Sequence, residues 1–124
     1  MIQKRPVNLD IGTIALPLAA IASITHRITG LLAFAGLALL LYCFNLSLMS
    51  AEGFAQAKAL TGSGLARLVL WALLSALAYH IVAGCKHLLL DFGIGESKQA
   101  APTGAKVVIA LSLLAAAALG VWIW

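Results

Sequence analysis

The chain has 124 residues, of which 63% are hydrophobic and only 10% charged, with a formal net charge of +4 and a mean hydropathy of +1.05. A typical globular chain is about 45–50% apolar and about 25% charged, so these values exclude a disordered tail and leave too little polar surface for a water-soluble core; the bilayer has to act as solvent. The length allows one domain, residues 1–124, and the basic residues are scattered singly without interleaved aromatics, which excludes a nucleic-acid partner.

In chain order, the first uncharged stretch, residues 11–26, contains Pro17 and runs into Arg27. It reads as a short interfacial segment leading into the first span. It is not a signal peptide, because no small-residue cleavage site precedes a polar start, and it is not an Arg- and Ser-rich transit peptide, which points to a bacterial chain or an already processed one. A charge at the centre of a membrane helix costs about 2.5–3.5 kcal/mol on insertion scales, so uncharged runs locate the spans. Residues 28–51, 68–85 and 107–124 are such runs, each close to the ~20 residues that cross ~30 Å of hydrocarbon as helix. The predicted spans are 28–49, 68–90 and 107–124, the second extended past Lys86 on the expectation that this side chain snorkels. Between the first two, residues 52–60 predict a short surface helix closed by the flexible Thr61-Gly62-Ser63-Gly64, and 93–104, with Pro102, predict a polar linker. Cys43 and Cys85 lie in or beside apolar runs without CxxC spacing and read as packing residues. The expected fold class is therefore all-α, an integral membrane protein with three transmembrane helices after an interfacial N-terminal segment.

Loop charges give the orientation. Lys4, Arg5 and Arg27 flank the start of the first span, and Lys86, Lys98 and Lys106 fall between the second and third; the other side holds only Lys58 and Arg67. Six against two predicts a cytoplasmic N-terminus and a C-terminus outside, with Trp122 and Trp124 as anchors at the outer interface.

Two clusters of polar residues stand out on helix faces. His80, Gly84, His87 and Asp91 fall at i, i+4, i+7 and i+11, one narrow stripe of the second helix, continued by Ala72 and Ala76. His80 lies roughly 18 Å from the outer start of that helix, near mid-membrane, where ionisable residues are functional candidates by default. One reading makes His80 an axial ligand to haem iron, with Gly84 and Ala76 leaving room for the macrocycle. His87 points the same way as His80 and cannot bracket the same iron, and His26 is expected at a different depth, so the second ligand would come from another chain. The other reading is a histidine hydrogen-bonded to a neighbouring helix among ordinary packing contacts. Ser23, His26, Arg27 and Gly30 form the second cluster, at i, i+3, i+4 and i+7, where the first span meets the cytoplasmic interface. Its donors and fixed positive charge suit haem propionates or a quinone headgroup; alternatively Arg27 is a topological anchor and Ser23 a helix cap. On the third span, Ser112, Ala116 and Gly120 form a small-residue ridge that predicts a helix contact face.

These clusters resemble the cytochrome b556 subunits of succinate dehydrogenase. The resemblance lies in Arg5-Pro6-Val7-Asn8-Leu9-Asp10, in Ser23-Ile24-Thr25-His26-Arg27-Ile28-Thr29-Gly30, and in His80 followed by Gly84, His87, Asp91 and Gly93. Two positions depart from the family pattern, Lys86 in place of Arg and Cys85 in place of an aliphatic residue; Lys keeps the charge but lacks the planar fork. The resemblance implies a membrane anchor of respiratory complex II in a bacterial inner membrane, with a flavoprotein, an iron–sulfur protein and a second small anchor as partners. It implies His80 as one axial ligand of a haem b shared with that second anchor, His26 and Arg27 at the haem propionates, and Ser23 and Arg27 at a ubiquinone pocket. It leaves the roles of His87, Asp91 and Lys86 open. The chain is not expected to be an enzyme by itself, since it has neither a flavin fold nor cysteine clusters; it would contribute to quinone reduction and carry no catalytic residue for succinate. A fumarate reductase anchor and a cofactor-free membrane scaffold are the alternatives.

Overall fold

The computed structural model describes residues 7–10 and 12–124. Lys4, Arg5, Pro6 and Ile11, used above for orientation, for the opening motif and for the start of the interfacial segment, lie outside the described residues. Among those described, all regular structure is helical, in the order α1 (Leu18–Met49), α2 (Ala51–Gly62), α3 (Gly64–Asp91) and α4 (Ala100–Ile123). α1, α3 and α4 are each long and apolar enough to cross a membrane. At 1.5 Å per residue they are roughly 48, 42 and 36 Å long, all exceeding a ~30 Å hydrocarbon core.

The helices begin earlier than the uncharged runs. Pro17 is the N-cap of α1, with φ −65° and ψ 151°, and nothing after it breaks a helix, so the chain is helical from Leu18 through Arg27 into the apolar run. Arg is a good helix former; it marks an expected membrane boundary, not a helix boundary. What precedes is non-helical and held by local bonds: Asn8 Nδ2 donates to Thr13 Oγ1 at 2.9 Å, and the Gly12 amide donates to Asp10 Oδ1 at 3.0 Å. α4 likewise starts at Ala100, inside the expected linker, because Pro102 falls in its first turn, where a missing N–H costs nothing.

Caps define the connections. Ser50, in extended conformation, ends α1 and caps α2, its Oγ accepting from the Gly53 amide at 2.9 Å. A Cβ at Gly53 would collide with the Leu46 carbonyl, so this elbow needs glycine. Thr61 and Gly62 belong to α2, and Ser63 caps α3 by accepting from the Ala66 amide. α3 closes in a Schellman arrangement: Ile94 N–H to Leu89 O at 2.9 Å, Gly93 N–H to Leu90 O at 2.8 Å, and Gly93 at φ 76°.

α3 packs against both α1 and α4. The buried residues at these crossings are small or compact: Ala22, Thr29, Ala83, Ala105, Val108 and Ser112. Large apolar side chains face outward, with Phe34 at 73% and Val121 at 85% exposure. That inverted distribution is what lipid-facing helices require, since backbones approach closely through small residues and lipid solvates the rest. The expected ridge on the third span is the α3 contact: Ser112 is buried, Trp71 Nε1 donates to the Ala116 carbonyl at 2.8 Å, and Gly120 lies beneath the Trp71 indole.

Candidate functional site: a histidine crossing between α1 and α3

The two predicted stripes meet. His26 on α1 and His80 on α3 stack, with ring centroids 4.1 Å apart and planes 9° from parallel; His87 lies 5.0 Å from His26, tilted by 52°. This corrects the expectation that His26 and His80 sit at different depths. Because α1 starts at Leu18, His26 is about 12 Å inside its start, and His80 is about 17 Å from the end of α3. With the helices antiparallel, these positions fall within about one helical turn of each other, and the rings stack at one level.

Two glycines lie against the stack, and one of them, Gly30, is required by it. An added Cβ at Gly30 of α1 would lie 2.8 Å from His80 Cε1, and one at Gly84 of α3 would lie 3.4 Å from His26 Nε2. Each histidine thus rests on the glycine of the other helix. The lane above Gly84, expected to admit a macrocycle, is occupied by the imidazole of His26.

The electrostatics of His80 follow from one bond. Its Nδ1 lies 2.9 Å from the His26 backbone carbonyl. A carbonyl only accepts, so Nδ1 carries the proton and Nε2 of the neutral ring keeps its lone pair. That is the tautomer of a metal-ligating histidine whose other nitrogen is anchored by a second partner. The stacked rings present faces to one another, not lone pairs, so His26 and His80 do not converge on a common ion. Among the described residues no three metal-ligating side chains do.

Nε2 of His26 is enclosed and has no hydrogen-bond partner among the described residues. Leaving a buried polar atom unpaired costs about 1–3 kcal/mol, so the crossing is chemically incomplete as it stands. Farther along the same two helices, beginning about one turn from Gly30 and His80, an open apolar groove of about 300 Å³ is lined by Ala33, Phe34, Gly36, Leu37, Leu73 and Leu77 among others.

Of the remaining sequence candidates, Ser23 is half-buried one helical turn before His26, Arg27 is exposed on α1, and Asp91 is exposed at the end of α3. Lys86 is half-buried, its stem against Gly104 of α4. Three residues to which the sequence reading gave no individual role contribute. Tyr79 donates its hydroxyl to the Ala22 carbonyl at 3.0 Å, pinning α3 to α1 beside Ser23; Trp71 does the same for α4; and Thr29 is buried, its hydroxyl 3.0 Å from the His26 carbonyl. Tyr79 and Trp71 each carry a polar tip on an apolar span, a pattern that signals a partner for the tip but not which one.

Comparison with known proteins agrees with this architecture. The model of the succinate dehydrogenase/fumarate reductase transmembrane subunit family matches residues 1–119. The chain is 39% identical over 122 residues to the succinate dehydrogenase cytochrome b556 subunit of Coxiella burnetii, covering 98% of both chains. It is 36% identical over 118 residues to the protein of the same name from Paracoccus denitrificans, covering 90% of this chain and 91% of that one.

Proposed function

The chain belongs to the succinate dehydrogenase/fumarate reductase transmembrane subunit family and is a multi-pass membrane protein, and on that premise we propose that it is the cytochrome b anchor of a bacterial succinate dehydrogenase, helping to hold a haem b and to reduce ubiquinone. The observation that carries the haem is the bond from His80 Nδ1 to the His26 carbonyl, which leaves Nε2 as a free donor on a ring held by its backbone partner. The donor set fits: one oriented imidazole, and an orphaned His26 Nε2 that a carboxylate or water would satisfy, with an apolar groove beginning about one turn away. When bound, the haem supplies a one-electron store. One ligand would come from this chain, since His26 stacks face to face with His80 and His87 follows it on the same helix face; a second small anchor would provide the other.

For the quinone, the chain's own residues bind and orient. Ser23 would donate to a headgroup carbonyl, and Arg27 would both stabilise the negative charge that builds on the oxygen as electrons arrive and contact a haem propionate. Two protons from the aqueous side complete the quinol. Both residues lie within the first turns of α1, on the side that loop charge makes cytoplasmic, where a flavoprotein and an iron–sulfur partner would dock. A fumarate reductase anchor is the second reading, because the family spans both activities; a purified complex that reduces fumarate much faster than it oxidises succinate would select it.

The test is co-purification followed by substitution. A tag on this chain should bring down a flavoprotein, an iron–sulfur protein and a second small anchor with b-type absorbance. His80→Ala should abolish that absorbance. Ser23→Ala and Arg27→Leu should lower quinone reduction at least tenfold while succinate oxidation by a water-soluble acceptor persists. Equal loss of both activities would remove the quinone assignment, and an unchanged spectrum in His80→Ala would remove the haem assignment.

A further inference from the structure

The His26 carbonyl that anchors His80 is shared. Thr29 Oγ1 lies 3.0 Å from the same oxygen and 2.9 Å from the Thr25 carbonyl. The helix ladder brings the Gly30 amide to it as well. A carbonyl oxygen has two lone pairs, so the imidazole Nδ1–H competes there with the Gly30 amide and with the Thr29 hydroxyl, whose single proton is divided between this oxygen and the Thr25 carbonyl. Thr29 is 7% exposed, one of two buried polar residues among those described, so water cannot take the place of its hydroxyl. Hydroxyls bonded to the carbonyl three or four residues back are ordinary in helices. What sets Thr29 apart is that the oxygen it reaches is the one that orients a candidate ligand from another helix.

We propose that Thr29 is a positioning residue that weakens the His80 Nδ1–H to His26 carbonyl bond, and thereby raises the reduction potential of the haem iron that His80 ligates. The proposal rests on the assignment of His80 as axial ligand. A stronger Nδ1–H bond gives the ring more imidazolate character, makes Nε2 a better donor and favours the oxidised metal. The Thr29 hydroxyl draws on the accepting capacity of that oxygen and so moves the balance the other way.

The experiment is a redox titration of the haem in the intact, affinity-purified complex, with the low-spin ferric electron paramagnetic resonance signal recorded alongside. Thr29→Val removes the hydroxyl and keeps the β-branched shape; Thr29→Ser keeps the hydroxyl. Thr29→Val should titrate at a lower midpoint potential with a shifted g value, and Thr29→Ser should match the unsubstituted complex. Thr29→Ala carries the same expectation as Thr29→Val and serves if the valine does not assemble. A midpoint unchanged or raised in the hydroxyl-free variants overturns the proposal while leaving the ligand assignment intact, provided His80→Ala still loses the haem. If His80→Ala keeps its haem spectrum, the assignment itself falls, and the proposal with it.

Discussion

Glycine in a helix interior costs about 0.8–1.0 kcal/mol relative to alanine, and Gly30 and Gly84 both sit there, against the two stacked imidazoles. The distances separate their roles. Alanine at position 84 would meet His26 Nε2 at 3.4 Å, an ordinary contact, whereas at position 30 it would come within 2.8 Å of His80 Cε1, and the ring would have to move. Gly30→Ala should therefore reduce the haem bound per flavin in the purified complex despite its better helix propensity, and Gly84→Ala should leave that ratio close to the unsubstituted value; equal ratios in the two variants would mean that the His80 position is not set by Gly30. At this scale the sequence was informative about which residues share a helix face and silent about how the faces meet. The 3.6-residue spacing put His80, Gly84 and His87 on one stripe and Ser23, His26 and Gly30 on another. It could not reveal that the stripes face each other, because that depends on where α1 begins, and Arg27 disguised that point. Thr29 stands in the motif over residues 23–30 without a role of its own, because a threonine on an apolar helix has no periodic signature; what singles it out is the carbonyl it shares with His80.

Among the elements, α3 is the one the others depend on, with α1 on one flank and α4 on the other. Among the described residues the α4 side is tied by a single long-range side-chain bond, Trp71 Nε1 to the Ala116 carbonyl at 2.8 Å, while on the α1 side the Tyr79 hydroxyl and the His80 imidazole play the same part. Trp71→Phe keeps an aromatic ring and removes the donor, so it should cost about 1 kcal/mol. The expected consequence is a modestly lower melting temperature of the detergent-solubilised complex, with the haem spectrum unaltered since the histidines lie at the other interface. A spectral change would indicate that α4 packing is transmitted to the crossing. Three long apolar helices and one short one follow from the distribution of charge along the sequence. Their ends do not, because helices are bounded by backbone chemistry and charge only by the bilayer. Pro17, Ser50, Ser63 and Gly93 carry the boundaries, and Pro102, which reads as a linker residue, starts a helix.

For the molecule as a whole, the sequence predicts orientation and the fold is compatible with either sense, so topology is tested from outside. A fusion of a periplasmically active reporter to the C-terminus should be active and the same reporter at the N-terminus inactive, following the six-to-two division of Lys and Arg; the reverse pattern would move Ser23 and Arg27 to the wrong side for a cytoplasmic electron donor. The distribution of bulk has its own consequence for how such a chain tolerates genetic change. With alanine, glycine and serine at the helix crossings and leucine, phenylalanine and tryptophan outside, an outward position accepts a wide range of apolar sizes, because fluid acyl chains conform to whatever shape they meet, except where another subunit covers it. An inward position accepts almost none. The ordinary rule for soluble proteins, in which bulky residues are held fixed and small ones drift, is reversed here, and the least conspicuous letters in the sequence are the ones least free to vary.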